Sequence, residues 1–146
     1  EWGQEQWVRD ARIAQIYEGT NGIQAQDLVK RKVITDQGET LFALLDEFAG
    51  TTSDSRWHDA KQHFVALTTD LLDTCKTDPS KEGWVSVDYL HALGYLLYGY
   101  FWSVMPEKAQ GTGLHEMKQR LGDFYWRRIF SRFNGLCESV RNELEH

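Results

Sequence analysis

Two prolines, Pro79 and Pro106, are all that this chain contains. Proline stops helices, so its scarcity leaves long stretches free to be helical, and no period-two alternation is long enough to suggest a strand. Cysteine is as rare. Cys75 and Cys137 are too few and too far apart for a disulfide scaffold or a zinc site, and read as reduced, buried thiols of a cytoplasmic protein. Clustered positive charge is missing: 16 Lys and Arg stand against 22 Asp and Glu, a net charge of −6. That argues against nucleic acid and against an anionic membrane surface as partners. The longest apolar run, residues 95–105, is too short to span a bilayer and is broken by Gly99 and Ser103. No signal peptide is visible. His58 and His63 are five apart, which separates them on a helix, so no metal site is expected.

What is present is helical periodicity. With 146 residues and 41% hydrophobic content, the chain suits one soluble core. A first helix is expected over residues 4–15, carrying Trp7, Val8, Ala11, Ile13 and Ala14. The sequence breaks at residues 18–22, where Thr20 or Asn21 can cap a second helix over residues 22–34. A short helix with Leu41, Leu44, Leu45 and Phe48 comes next. After it lies an amphipathic helix with Trp57, Ala60, Phe64, Leu67, Leu71 and Cys75 in steps of three and four.

Residues 77–83 read as a loop. The most apolar helix spans residues 88–105, with Leu90, Leu93, Leu97 and Phe101 as one stripe, His91 as a core histidine, and Gly94 and Gly99 as places of close approach. Residues 106–113 read as a second loop, opened by Pro106. The last helix, residues 114–143, turns Met117, Leu121, Phe124, Tyr125, Ile129, Phe133, Leu136 and Val140 inward. The fold class expected is all-α, an antiparallel helix bundle. The aromatics read as core, with any exposed remainder marking a subunit or domain contact. The sequence lacks a starting Met and ends Leu144-Glu145-His146, the pattern of an expression-tag remnant, so a piece of a longer protein is expected.

Only one segment speaks of chemistry. It runs Arg9-Asp10-Ala11-Arg12-Ile13-Ala14-Gln15-Ile16-Tyr17-Glu18-Gly19-Thr20-Asn21-Gly22-Ile23-Gln24. On its own, Tyr17-Glu18-Gly19-Thr20 is a helix stop and restart with a solvated Glu. The flanking residues change that reading. The segment resembles the C-terminal signature of acyl-CoA dehydrogenases, "RDARI.QIYEGTN.IQ", and the likeness continues through Leu28 to Val33. It departs at Gln26 and Lys30, where the pattern more often has Leu and Gly. Residues 39–143 resemble the helical C-terminal extension of a bacterial subgroup, most of all in the aromatic pattern of residues 124–133. The resemblance divides the chain into residues 1–35, the end of the dehydrogenase helical domain; residues 39–143, the extension; and residues 144–146, the tag remnant.

The resemblance implies oxidation of an acyl-CoA to the trans-2-enoyl-CoA with FAD as cofactor. Glu18 falls on the catalytic base, Gly19 on a substrate contact, and Thr20, Asn21 and Gly22 on cofactor contacts. It also implies an electron-transferring flavoprotein as partner and a homo-oligomeric parent. Two alternatives stand beside it: a non-catalytic helical module for oligomerisation or domain packing, and a parent with the same fold and different flavin chemistry. Arg9, Asp10 and Arg12 read as a local ion-pair network that orients the turn.

Overall fold

The computed structural model of the chain describes residues 4–16 and 20–146. In order these form α1 (Gln4–Ile16), α2 (Asn21–Gln26) running into a π-helical segment (Asp27–Ile34), α3 (Glu39–Ala49), α4 (Ser55–Thr77), α5 (Lys81–Lys108) and α6 (His115–Phe124). A second π-helical segment (Tyr125–Ile129) joins α6 to α7 (Ser131–Glu145). No strand occurs among the described residues, and the all-α bundle expected from the sequence is what forms. None of the described helices is long and apolar enough to cross a membrane.

α5 is the centre, packed against α2, α4, α6 and α7. Its register with α4 is set by three polar ties. The Ser103 hydroxyl donates to Asp54 at 2.9 Å, the Trp57 indole N–H donates to the Leu96 carbonyl at 3.0 Å, and the Tyr89 and Thr68 hydroxyls meet at 2.8 Å. Thr68 spends its own proton on the Phe64 carbonyl, so Tyr89 is the donor. Tyr89, Leu96 and Ser103 are seven apart and all buried, marking one face of α5. Rising numbers on α4 meet falling numbers on α5, so the two are antiparallel. α7 also runs antiparallel to α5: Lys81 lies at Glu143, and the Ser139 hydroxyl donates to Asp88 at 2.6 Å.

Between these helices lie Trp57, Phe64, Leu67, Leu71, Leu96, Phe133 and Val140, all at or near full burial. Each such side chain contributes about 1.5–3 kcal/mol relative to exposure. Rings meet at Phe64–Tyr89 (4.9 Å between centroids) and Phe130–Phe133 (4.8 Å). Cys75 and Cys137 are buried and free, as expected, and burial pushes the Cys137 thiol up to about 12.

Four expectations need correction. Pro106 does not open the loop; it lies inside α5, because it removes one N–H and the next turn still closes from Ala109 to the Met105 carbonyl at 3.0 Å. The loop before α5 is shorter than residues 77–83, with helix resuming at Lys81. His91 and Phe101 are exposed, since the core takes the other side of α5. Met117, Leu121 and Phe124 are also exposed. The reason is the second π-helical segment. Buried residues run Gly122, Tyr125, Phe130, Phe133, Cys137 and Val140, with a five-residue step where the Phe130 N–H bonds the Tyr125 carbonyl at 2.9 Å. One extra residue rotates everything before it by about 100° relative to an unbroken α-helix.

Of the two glycines expected to permit close approach, Gly99 does so: a Cβ there would lie 3.1 Å from Trp126. At Gly94 a Cβ would meet nothing within 4 Å. α7 continues through Glu145, and Leu144 packs against the core.

Gly38 gives a sharper test. Its φ is +78°, it comes after Gln37 at +56°, and its N–H bonds the Val33 carbonyl at 2.8 Å to close the helix before it. A Cβ there would stand 2.8 Å from Phe42. Gly38→Ala is expected to lose about 1–2 kcal/mol in chemical denaturation, from strain at positive φ. Gly135→Ala, in open space on α7, is expected to gain about 0.5–1 kcal/mol from helix propensity.

Candidate functional site

The signature segment straddles a helix stop and restart. Glu18 and Gly19, expected as base and substrate contact, lie outside the described residues. Thr20 is described and acts as the N-cap of α2, with extended backbone and its hydroxyl accepting from the Ile23 N–H at 3.4 Å. Asn21 and Gly22 are the first helical residues, so their N–H groups stand at an exposed helix start without intrahelical acceptors. Gly22 has nothing within 4 Å of where a Cβ would be, so nothing in the described residues requires glycine there. The three expected cofactor contacts are therefore adjacent, with Thr20 and Asn21 exposed and Gly22 half-buried. On α1, Arg9 pairs with Glu5 and donates to Gln6 at 2.9 Å, while Gln6 donates to Asp10 at 2.7 Å. This is a local polar network on the helix surface that ties Arg9 and Asp10 through Glu5 and Gln6, not the ion-pair network of Arg9, Asp10 and Arg12 that was expected to orient the turn.

A polar cavity lies elsewhere. It measures about 390 Å³ and sits where α4 begins, between α5 and α6. Asp54 is its centre. It caps α4 through the Arg56 N–H at 3.0 Å, holds the Arg56 guanidinium through two bonds of 2.9 and 2.7 Å, and accepts from Ser103. Arg56 lies over the Trp126 ring at 5.0 Å and 3.6 Å from Asp123. The His115 Nδ1–H donates to the Pro106 carbonyl at 2.8 Å. The lone cation is thus already paired, and no activated nucleophile is present. The cluster is a latch joining the start of α4 to α5 and α6, and it offers no catalytic arrangement. The sequence shows only good capping residues near here. Among the described residues no group of three or more His, Cys, Asp or Glu could hold a metal ion.

Residues 44–145 match the family model described as acetyl-CoA dehydrogenase C-terminal like. The chain belongs to that family. It is 37% identical over 112 residues to a 3-methylmercaptopropionyl-CoA dehydrogenase of Ruegeria pomeroyi, covering 68% of this chain and 19% of that protein. It is 34% identical over 113 residues to a broad-specificity linear acyl-CoA dehydrogenase, FadE5, of Mycobacterium tuberculosis, covering 66% of this chain and 18% of that one. The chain therefore spans about a fifth of the length of these curated relatives. No solved structure matches it significantly.

The family match begins after the signature, so the two parts of the chain support the assignment separately. The fold joins them. Lys30 reaches Glu82 of α5 at 2.9 Å, and Gln26 lies against Gly83. These are the two positions where the signature departs from its usual pattern, and both face the helix that the dehydrogenase C-terminal-like region supplies.

The Asp54 latch yields a pH test. Burial raises the Asp54 carboxyl, but the hydrogen bonds from Arg56 and Ser103 and the Arg56 charge outweigh it and hold the group below its ordinary 3.8. A depressed folded value means stabilisation that is present above 3.8 and lost as pH falls through the lower folded value. Asp54→Asn keeps a capping oxygen and loses the charge. It is expected to be less stable than wild type at pH 7, with the gap closing in acid. Urea midpoints at neutral and acid pH check this, and a gap that persists undiminished to about pH 2 would count against it.

Proposed function

We propose that the chain is part of a flavin-dependent acyl-CoA dehydrogenase that converts an acyl-CoA to the trans-2-enoyl-CoA, with Glu18 as the base. What carries the reading is the signature of residues 9–33 joined directly to the helical region of the same enzyme class. In the reaction the Glu18 carboxylate takes a proton from Cα of the thioester as a hydride leaves Cβ. FAD, when bound in the full protein, supplies the acceptor for that hydride. A free Glu titrates at about 4.3, and an apolar acyl chain beside Glu18 raises that and makes it a stronger base. Gly19 lets the backbone approach the substrate without a Cβ in the way.

The residues after it fit a role at the cofactor's edge. Thr20 is held as a cap, and the free N–H groups of Asn21 and Gly22 suit polar or anionic atoms. Among the described residues a Cβ at Gly22 would meet nothing within 4 Å, which suits close approach of a ligand. Reoxidation by an electron-transferring flavoprotein completes the cycle. The names of the relatives point to acyl-CoA thioesters as the substrate class. The chain brings one edge of the site and not the whole, so alone with added FAD it is expected to be inactive.

A second reading applies to residues 39–143: a helical module that packs on the enzyme or builds its oligomer. The exposed apolar side chains of α5 and α6 favour it, and it is compatible with the first.

The test is anaerobic flavin bleaching by acyl-CoAs of increasing length in the full-length enzyme. Wild type is expected to bleach with one length class. Glu18→Gln is expected to bleach at least about a hundredfold more slowly while keeping its flavin. A flavin that stays oxidised with every thioester would overturn the reaction, and an unslowed variant would remove Glu18 as the base.

A further inference from the structure

From Asn21 to Ile34 the chain is helical without a break, first as α2 and then as the π-helical segment. One side of this helix is sunk in the bundle. Ala25, Val29 and Val33 are at or near zero exposure, in constant steps of four. An α-helix needs alternating steps of three and four to keep one face buried; the wider π turn does it with fours alone. Apolar burial of this kind is non-directional. It holds the helix to α5 without setting how far along or around α5 it must sit. The Lys30 ammonium does that, 2.9 Å from the Glu82 carboxylate in the first turn of α5. Among the described residues this is the one polar tie between the segment and α5. Thr20 and Arg31, by contrast, bond within the segment, to Ile23 and Asp27. The Glu82 side chain is only 23% exposed, and the neighbouring Lys81 is turned away to the Glu143 carbonyl at 2.7 Å, which leaves Glu82 to Lys30. One turn before Lys30, Gln26 lies against Gly83, 3.8 Å from where a Cβ would stand. Gln26 and Lys30 are the two positions at which the signature departs from its usual Leu and Gly. A Gly at 30 makes no ion pair, so the tie belongs to this chain and not to the signature.

We infer that Lys30 and Glu82 are positioning residues of the proposed site. The pair sets where the helix start at Thr20, Asn21 and Gly22 stands, and so how well that start meets FAD. The inference rests on the reading of those three residues as cofactor contacts. Helix start and seat belong to one continuous helix: eight residues separate Gly22 from Lys30, roughly 10 Å along the axis. A slip or tilt at the seat is therefore carried to the free N–H groups of Asn21 and Gly22. A displacement on the order of 1 Å costs a large part of a rate even when it begins far from the reacting atoms. The pair adds little to stability, because the lysine is largely solvated. Its effect is on the place of the helix start, which sets it apart from an ordinary surface ion pair. Neither residue touches cofactor or substrate, and both act through α2. The helical extension, through Glu82, thereby takes part in a site whose expected residues all precede it.

Two measurements test it. In the chain itself, Glu82→Gln is expected to shift the backbone amide resonances of Asn21, Gly22 and Ile23 while its thermal midpoint stays within about 2 °C of wild type. In the full-length enzyme, titration of the flavin-free protein with FAD is expected to give Glu82→Gln a Kd raised at least about fivefold. Lys30→Met is expected to do the same in both measurements, and the double variant no more than either, as for two groups that act only on each other. A purely structural pair would lower the thermal midpoint and leave the amides and the FAD affinity alone, and that result overturns the inference. Unshifted amides, a wild-type FAD affinity in Glu82→Gln, or additive effects in the double variant overturn it as well. Neither measurement depends on dehydrogenation. An enzyme that binds FAD as expected and stays oxidised with every thioester sinks the proposed reaction alone.

Discussion

The indole N–H of Trp57 is buried, and a buried donor without an acceptor costs on the order of 1–3 kcal/mol. Its one partner is the Leu96 carbonyl on α5. That bond fixes how far along α5 the start of α4 must sit, and the rest of the bundle depends on it. One turn earlier on α4, Asp54 then reaches Ser103; three turns later, Thr68 reaches Tyr89. With those three ties made, the side of α5 that carries residues 89, 96 and 103 is committed inward. The side that carries Trp84, Gly94 and Tyr98 is committed outward. The buried face of α5 and its bare face are thus two consequences of one register.

Helical periodicity makes most of the bundle legible in the sequence. The α4 stripe of Trp57, Ala60, Phe64, Leu67, Leu71 and Cys75 is buried residue for residue, because a single amphipathic helix with polar flanks leaves one face to bury. α5 is harder for the opposite reason. It is apolar nearly all round, so periodicity does not say which side is core, and His91 and Phe101 point outward against expectation. The last helix departs at one point: a π turn between Tyr125 and Phe130 shifts the phase by a residue, and no pattern that assumes 3.6 residues per turn shows it. The aromatic run at Phe124, Tyr125, Trp126 and Phe130 is the one signal of it in the sequence. So many rings cannot share one face, and Gly99 of α5 makes room for Trp126.

The signature segment is read in another way. Nothing in its periodicity distinguishes Glu18 from a solvated turn residue; the proposal that it is the base rests on the likeness of the whole stretch. The local chemistry that can be checked is the restart itself, where Thr20 caps α2 as a Thr before a new helix should. The Asp54 latch stays hidden because its parts are far apart in sequence. Asp54 and Arg56 are neighbours, but Ser103 and Asp123 come from α5 and α6. A constellation assembled by tertiary contact leaves no spacing to read.

The two departures from the signature, Gln26 and Lys30, say how its helix is used. Four residues apart, they sit on one side of the helix that begins at Thr20–Gly22, and that side faces Gly83 and Glu82 at the beginning of α5. Ala25, Val29 and Val33 are buried beside them. The Lys30–Glu82 pair is largely solvated on the lysine side, so by itself it contributes about 1 kcal/mol or less; the buried apolar residues hold the contact and the ion pair sets its register. The helix that begins at Thr20–Gly22 is therefore seated at its far end on the beginning of α5.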